Sequence, residues 1–182
     1  MTDHVFSEPE RAAVYRAIGE RRDMRHFAGG EVAPELLARL LAAAHQAPSV
    51  GLMQPWRFIR ITQRALRGRI QALVEQERVL TAQALGERSD DFMKLKVEGI
   101  NDCAELLVAA LMDNREPHLF GRRPLPEMDL ASLACAIPNL LLAPPAAALG
   151  MCRGLVFEPP ARSALLGLPA AFRVGRRPAF DL

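Results

Sequence analysis

Residues 47–56, APSVGLMQPW, contain two prolines and one glycine, and they separate two apolar segments that have different periodicities. Before them, leucine and alanine recur at helical spacing from residue 34 onward. After them, residues 58–61 (FIRI) alternate apolar and polar side chains, which predicts a strand. Because proline and glycine interrupt both helices and strands, residues 48–55 must form a loop that joins the two.

A second sequence feature fixes the start of the first helix. Ser7 is followed three residues later by Glu10, the pattern of a capping box. We therefore predict a helix that begins after Ser7 and runs to about residue 21, with Val14, Ala17 and Ile18 on one face. Its end, and the extended segment that follows, carry three arginines around one aspartate.

The remaining segments continue the mixture of helices and strands. The compact apolar run 105–112 is typical of a fully buried strand. We predict helices at 65–85, 128–142 and 160–166, a short strand at 155–157, and a polar break at 86–91. Neither an internal repeat nor a linker is visible, which predicts a single α+β domain over residues 1–182.

The net charge and the position of the prolines argue against two classes of partner. Twenty-three basic and 21 acidic residues give a net charge of +2, too small for the field that nucleic-acid binding needs. The apolar stretch 130–149 is interrupted by Pro138 and by Pro144 and Pro145, so it resembles a buried helix more than a membrane span. We expect neither a nucleic-acid nor a membrane partner.

The cysteines and histidines suggest neither disulfides nor a metal. The three cysteines form no Cys-x-x-Cys pair, and we interpret them as reduced, buried side chains. The four histidines lack metal-ligand spacing, and His45, at the end of an apolar helix, is predicted to be structural. The N-terminal residues lack the pattern of a signal peptide. Together these features predict a cytoplasmic protein without a metal.

Two segments are candidate ligand sites. Arg21, Arg22 and Arg25 could hold a phosphate through charge-assisted bidentate bonds, or they could form an exposed basic patch. The loop 47–56 could provide a wall for a flat heteroaromatic ligand. Alternatively, it is a tight turn with Trp56 in the core.

The order and spacing of these motifs resemble the flavin-binding nitroreductase family. A helix ends in Arg-Arg-x-x-Arg-x-Phe, a second helix follows, and then comes Ala-Pro-Ser-x-x-x-x-Gln-Pro-Trp with a strand. Most of that family has serine as the third residue of the arginine cluster, whereas this chain has Asp23. The segments RRDMR, KLKVEGI (94–100) and MDLASLACAIPNL (128–140) resemble the subgroup of 5,6-dimethylbenzimidazole synthases.

This resemblance implies a fold, a reaction and a binding site. The fold would be nitroreductase-like, with a central mixed sheet flanked by helices. Reduced FMN would be the substrate, which molecular oxygen attacks to give 5,6-dimethylbenzimidazole, the lower ligand of vitamin B12. Arg21, Arg22 and Arg25 would hold the phosphate and ribityl chain, and Ser49, Met53 and Gln54 would line the ring.

The resemblance also implies a catalytic residue, a lid and a partner. Asp23 would accept and relay protons beside the flavin, although it could instead only order the arginines. Residues 81–100 would form a lid over the flavin. Family members are homodimers with FMN at the subunit interface, where Arg122 and Arg123 could contact the other chain.

The C-terminal third departs from the family pattern. Leu155 stands where the family has a serine that approaches the flavin, and the segment after residue 169 is short and basic, so a sheet strand could be missing. Pro138 would also interrupt a buried helix. We therefore expect little or no product from this chain. The alternatives are an NAD(P)H-dependent nitro or flavin reductase and a non-catalytic flavin-binding remnant.

Overall fold

The computed structural model describes residues 5–94, 99–112, 117, 119–121, 123–143 and 151. Within them the chain forms helices, short 3-10 turns and a two-stranded sheet. The helices are α1 (Glu8–Glu20), α2 (Pro34–His45), α3 (Arg64–Leu85), α4 (Ser89–Met93), α5 (Gly99–Asp102) and α6 (Met128–Leu142); the strands are β1 (Trp56–Arg60) and β2 (Leu107–Leu111).

The first helix starts as its capping box predicts. The backbone N–H of Ser7 donates to Glu10 Oε2 over 2.7 Å, and the Ser7 hydroxyl donates to the same oxygen over 2.6 Å. These two bonds lower the pKa of the Glu10 carboxyl. The helix has the predicted apolar face, but none of its residues is buried against the rest of the described chain.

The two strands pair antiparallel, from Trp56 opposite Leu111 to Arg60 opposite Leu107. The ladder is extended by the amide of Met112, which donates to the Pro55 carbonyl over 2.7 Å. Pairing with β2 draws Trp56 into the sheet, so β1 begins two residues before the predicted strand at 58–61.

Helices cover both faces of the sheet. On one face, Trp56 and Leu111 pack with buried residues of α2 and α6, namely Leu40, Ala44, Leu133, Ala136 and Leu140. On the other face, Ile61 packs with Ile70 and Val74 of α3. Alternate side chains of each strand therefore enter different cores, as the period of two requires.

Helix α6 has the predicted bounds and continues through Pro138. The amide of Ala143 still donates to the Asn139 carbonyl over 3.2 Å, beyond the proline. The Pro138 ring is exposed, and the buried side chains of α6 lie on another face. Asn139 also joins α6 to α2, because its Nδ2 donates to the Ala43 carbonyl over 3.1 Å.

Two predictions about the middle of the chain are wrong in part. The predicted polar break at 86–91 does end α3 at Leu85, but it is a 3-10 turn of three residues, Gly86–Arg88. Helix α4 follows at once, and its first turn carries Asp90 and Asp91. Acidic side chains stabilise a helix N-terminus, so polarity alone did not exclude a helix here. Strand β2 is only partly buried, because within the described chain it pairs with β1 alone.

The predicted elements at 155–157 and 160–166 lie outside the described residues, as do Leu155 and the segment after residue 169. In the described chain, the predicted mixed sheet is represented by its antiparallel pair and, outside the named strands, by an isolated parallel bridge between Asp23 and Met151. None of the helices in the described part combines the length and apolarity that crossing a bilayer requires.

Candidate functional site

The arginine cluster lies on an extended segment that leaves the end of α1. Asp23 forms an isolated parallel bridge with Met151, and the amide of Met24 donates to the Met151 carbonyl over 3.0 Å. This pairing joins residues 21–25 to a part of the chain more than a hundred residues away. The segment is thus held by tertiary structure and does not simply fray from α1.

The three arginines have different environments. Arg21 Nη1 donates to Asp23 Oδ1 over 2.9 Å, and both side chains are about 40% exposed. Arg22 Nη1 donates to the carbonyls of Gly19 and Arg21 over 2.9 and 2.8 Å, which satisfies acceptors at the end of α1. Arg25 is exposed, and no described residue makes an ion pair or hydrogen bond with its guanidinium.

The second candidate segment is fixed by hydrogen bonds to its own backbone and to α6. The amide of Gln54 donates to Ser49 Oγ over 3.0 Å. The amide of Val50 donates to Ser132 Oγ over 3.0 Å, and the Ser132 hydroxyl donates in turn to the Met128 carbonyl over 2.7 Å. Ser132 is buried, so this chain of bonds orients the loop from the N-terminal half of α6.

The same loop contains backbone strain. Gly51 has a φ of 54°, and two residues with side chains, Leu52 and Gln54, have φ values of 55° and 48°. A non-glycine residue in this left-handed region costs on the order of 1 kcal/mol or more, and such residues cluster at functional sites. With this backbone conformation Met53 is buried, while Leu52 is 87% exposed.

His45 and Trp56, which flank the loop on its two sides in the sequence, are joined by a hydrogen bond. Trp56 Nε1 donates to His45 Nδ1 over 3.3 Å, and the two rings are nearly perpendicular. Gln54 Nε2 donates to the His45 carbonyl over 3.1 Å. Trp56 is buried in the core, so it is not an exposed wall of the loop. His45 has the structural role that we predicted for it.

Residues 119–121, which sequence analysis did not identify, pack against this loop. A Cβ atom at Gly51 would lie 2.8 Å from the Phe120 carbonyl oxygen, and one at Gly121 would lie 2.5 Å from Val50 Cγ2. Both positions therefore require glycine. Phe120, which packs against Gly51, is 85% exposed, and Leu52 of the loop is also exposed, so both leave apolar surface at the loop.

Two further predictions about chemistry can be compared with the described residues. Cys135 is exposed and Cys103 half-buried, so the prediction that the cysteines are buried is wrong for Cys135, which lies away from the buried side of α6. Burial raises the pKa of the Cys103 thiol. No cluster of three or more His, Cys, Asp or Glu that could hold a metal occurs among the residues described.

The fold and the two segments define a class of protein. A small antiparallel sheet lies between helices, with an arginine-bearing extended segment and a strained Pro-Ser loop; this is an α+β protein. The chain belongs to the nitroreductase family, whose family model matches residues 18–175. The departures noted in the C-terminal third thus lie largely inside the matched region.

Relatives within this family are close in sequence. The 5,6-dimethylbenzimidazole synthase of Rhodospirillum rubrum is 39% identical over 156 residues, which cover 82% of this chain and 72% of the relative. The 5,6-dimethylbenzimidazole synthase of Rhodobacter capsulatus is 34% identical over 168 residues, 90% of this chain and 80% of the relative.

Solved structures agree on the fold. Iodotyrosine deiodinase bound to FMN and 3-iodo-L-tyrosine superposes with a TM-score of 0.69 at 20% identity, over 93% of this chain and 96% of the other. A BluB-like flavoprotein from Clostridium difficile superposes with a TM-score of 0.63 at 18% identity, over 89% and 86% of the two chains. The predicted nitroreductase-like fold is confirmed.

Proposed function

We propose that this protein is a 5,6-dimethylbenzimidazole synthase, an enzyme that uses molecular oxygen to fragment reduced FMN. The product would be the lower ligand of vitamin B12. Two relatives that bear this name are 39% and 34% identical over most of their lengths and of this chain. The single structural observation that supports the proposal is Asp23, which stands in the family's serine position and forms an ion pair with Arg21.

The phosphate of FMN would be bound by the arginine cluster. Arg25 is the best candidate, because its guanidinium is exposed and no described residue contacts it through an ion pair or hydrogen bond. Arg21 uses one nitrogen for Asp23 and keeps the other donors of its fork. Arg22 would have to leave the two carbonyls at the end of α1 before it could bind a phosphate oxygen.

The isoalloxazine ring would lie against the loop at residues 49–54. Ser49 Oγ accepts the amide of Gln54 and keeps its own proton for donation. Gln54 uses Nε2 for the His45 carbonyl, which leaves its Oε1 as an acceptor. Met53 is buried and would support the loop from inside. Since Ser132 holds the Val50 amide and the His45 carbonyl holds the Gln54 side chain, the loop would be ordered before the ligand binds.

When reduced FMN binds, it supplies the electrons that molecular oxygen accepts. Asp23 would hold or move a proton at its carboxylate. Its Oδ1 accepts from Arg21, which leaves Oδ2 for the proton, and the side chain is 41% exposed, so a ligand can reach it. A serine in this position could donate a hydrogen bond but could not serve as a base near neutral pH.

A homodimer with FMN at the subunit interface is part of the proposal. The described chain exposes apolar side chains on α1, Val14, Tyr15 and Ile18, and beside the loop, Leu52 and Phe120. Exposed apolar surface of this kind is typical of interfaces. A monomeric mass by light scattering would contradict this part. We place the enzyme in the cytoplasm, since the described cysteines are free thiols, which a reducing compartment maintains.

The test is aerobic incubation of the protein with reduced FMN, followed by chromatography of the products. A synthase consumes the flavin and releases 5,6-dimethylbenzimidazole, whereas a nitro or flavin reductase leaves the flavin intact after each turnover. The anaerobic reaction is the matched control, because without oxygen the flavin must survive in both cases. Because Leu155 is expected to slow the unaltered chain, its Leu155→Ser variant is assayed beside it. Flavin recovered intact under air from both proteins would reject the proposal in favour of the reductase.

A further inference from the structure

The motif KLKVEGI ends at a glycine and an isoleucine whose role the proposed function does not explain. We propose that its glycine, Gly99, is a positioning residue for Arg25: its missing side chain lets α5 fix the backbone of the segment that presents the guanidinium. This inference rests on the proposed function, because it assumes that Arg25 binds the FMN phosphate.

The contact between Gly99 and the arginine segment leaves no room for a side chain. A Cβ atom at residue 99 would lie 2.9 Å from both Cδ2 and Cε2 of Phe27, and 3.0 Å from the Arg25 carbonyl oxygen. Non-bonded carbon atoms prefer separations of about 3.5–4.0 Å. A methyl group at this position must therefore displace the Phe27 ring, the Arg25 carbonyl, or both.

The backbone conformation of Gly99 does not itself require glycine. Gly99 lies in α5 and is not among the glycines of the described chain that have a positive φ. Within a helix, glycine is less favourable than alanine by roughly 0.5–1 kcal/mol. The close approach to Phe27 and Arg25 is therefore the feature that demands glycine here.

The arginine segment is held at two points. On the N-terminal side of Arg25, the amide of Met24 donates to the Met151 carbonyl. On its C-terminal side, Arg25 and Phe27 contact Gly99, and Gly29 approaches the Asp102 carbonyl, 3.7 Å from where its Cβ would lie. The Arg25 guanidinium makes no ion pair or hydrogen bond with a described residue. Its position is therefore set by these contacts of the backbone. Bidentate recognition of a phosphate depends on such pre-organisation.

The experiment compares two glycine-to-alanine changes. Gly99→Ala introduces the clash, whereas Gly68→Ala makes the same chemical change in α3, where no atom lies within 4 Å of the new Cβ. We expect Gly99→Ala to weaken binding of oxidised FMN about tenfold or more and that of riboflavin by less than about threefold. Gly68→Ala should leave both affinities unchanged. Titration of each ligand by fluorescence quenching measures all of these values.

A double-mutant cycle with Arg25→Ala separates positioning from general damage. If Gly99 acts through Arg25, adding Gly99→Ala to Arg25→Ala should weaken FMN binding by less than about threefold. An equal loss in both backgrounds, or an equal loss for FMN and riboflavin, would overturn the inference. Circular dichroism checks that each variant is folded. If Gly99→Ala does not fold, Phe27→Leu replaces it, since this variant loosens the same contact. Phe27→Leu should weaken the binding of FMN more than that of riboflavin. An equal loss of affinity for the two ligands would overturn the inference.

The same measurements distinguish this inference from the proposed function. If the unaltered chain binds FMN and riboflavin equally and Arg25→Ala changes neither affinity, the phosphate site is wrong and the inference falls with it. If Arg25→Ala selectively weakens FMN binding but Gly99→Ala does not, the phosphate site stands and only the role of Gly99 is rejected.

Discussion

The three guanidinium groups after α1 do three kinds of work, although they lie within five residues of each other. Arg22 completes the end of the helix, Arg21 holds Asp23, and Arg25 has no ion pair or hydrogen bond with the described protein. An exposed ion pair such as that of Arg21 and Asp23 contributes at most about 1 kcal/mol to folding. The ion pair therefore matters more for orienting a carboxylate and a cation toward a ligand than for stability.

The first prediction concerns Arg25. Arg25→Ala should weaken FMN binding by about 1.5–3 kcal/mol, the range for hydrogen bonds to charged groups, because the phosphate loses a forked donor. Riboflavin, which has no phosphate, should lose much less. Isothermal titration of both ligands measures the difference. Arg22→Ala is the matched control, since it should mainly lower the unfolding temperature by exposing carbonyls at the end of α1.

The second prediction concerns Asp23. Asp23→Asn keeps the shape of the side chain and an oxygen that can accept from Arg21, but it removes the basic carboxylate. Introduced into the Leu155→Ser variant, in which product formation is expected to be measurable, the change should leave FMN affinity intact. The formation of 5,6-dimethylbenzimidazole should fall at least about 100-fold, as is typical of a lost general base. A variant with normal product formation would limit Asp23 to ordering the arginines.

At the scale of elements, the strained loop depends on helix α6 as well as on its own sequence. Ser132 is buried in α6 and accepts the Val50 amide, while its own hydroxyl donates to the Met128 carbonyl. Removing this acceptor leaves a partly buried amide without its partner. The arrangement predicts that a change outside the loop alters binding at the loop.

The third prediction tests that dependence. Ser132→Ala should lower the free energy of unfolding by about 1–3 kcal/mol, because a buried hydrogen-bonding group loses its partner. It should weaken FMN and riboflavin by the same factor, since both carry the ring that the loop would contact. Denaturant unfolding and titration of the two ligands provide the measurements. A selective loss of FMN would show that α6 acts on the phosphate and not on the ring.

The fourth prediction concerns the joint between α3 and α4. Arg78 pairs with Glu75 through two nitrogens and also donates to the Met93 carbonyl at the end of α4. The hydrogen bond from Arg78 lowers the pKa of Glu75. A carboxyl whose pKa is lowered on folding stabilises the protein above its ordinary pKa, and this contribution disappears as the pH falls through the lowered value.

Glu75→Gln should therefore lower the unfolding temperature more at about pH 7 than at about pH 3. Glu87→Gln, a change to an exposed carboxyl for which the described chain shows no ion pair, is the control and should have little effect at either pH. Thermal unfolding of the three proteins at both pH values measures the difference. The same destabilisation at both pH values would mean that the pair acts through packing and not through charge.

At the scale of the whole molecule, local signals predicted the long helices but not the short α4 and α5, and non-local contacts determined where the strands begin. The capping box at Ser7 and the continuous apolar run of α6 depend on neighbouring residues, and both helices were predicted correctly. The start of β1 at Trp56 depends on its pairing with Leu111, 55 residues away, and could not be read from alternation alone.

The candidate site divides in the same way. Its residues were found because their order resembles a known family, and composition did not distinguish a phosphate site from a basic patch. The contact of Gly99 with Phe27 joins distant segments, so it does not follow from the sequence. The capping contact of Arg22 is local, but the sequence does not show which of the three arginines folds back onto the end of α1. The sequence around Phe120 contains no motif apart from the glycine that follows it. The need for glycine there is evident only from the structure, in which that residue packs against Val50.

The most direct test of the account measures 5,6-dimethylbenzimidazole formed per reduced FMN consumed under air. The chain and its Leu155→Ser variant are compared at equal FMN occupancy, because Leu155 stands where the resembling family has a serine. A missing hydrogen bond to a reacting centre costs on the order of 10²–10³ in rate. We predict little product from the unaltered chain and a measurable increase with serine. Recovery of intact flavin from both proteins, with FMN bound, would contradict the central claim. Robust synthesis by the unaltered chain would contradict the effect predicted for Leu155.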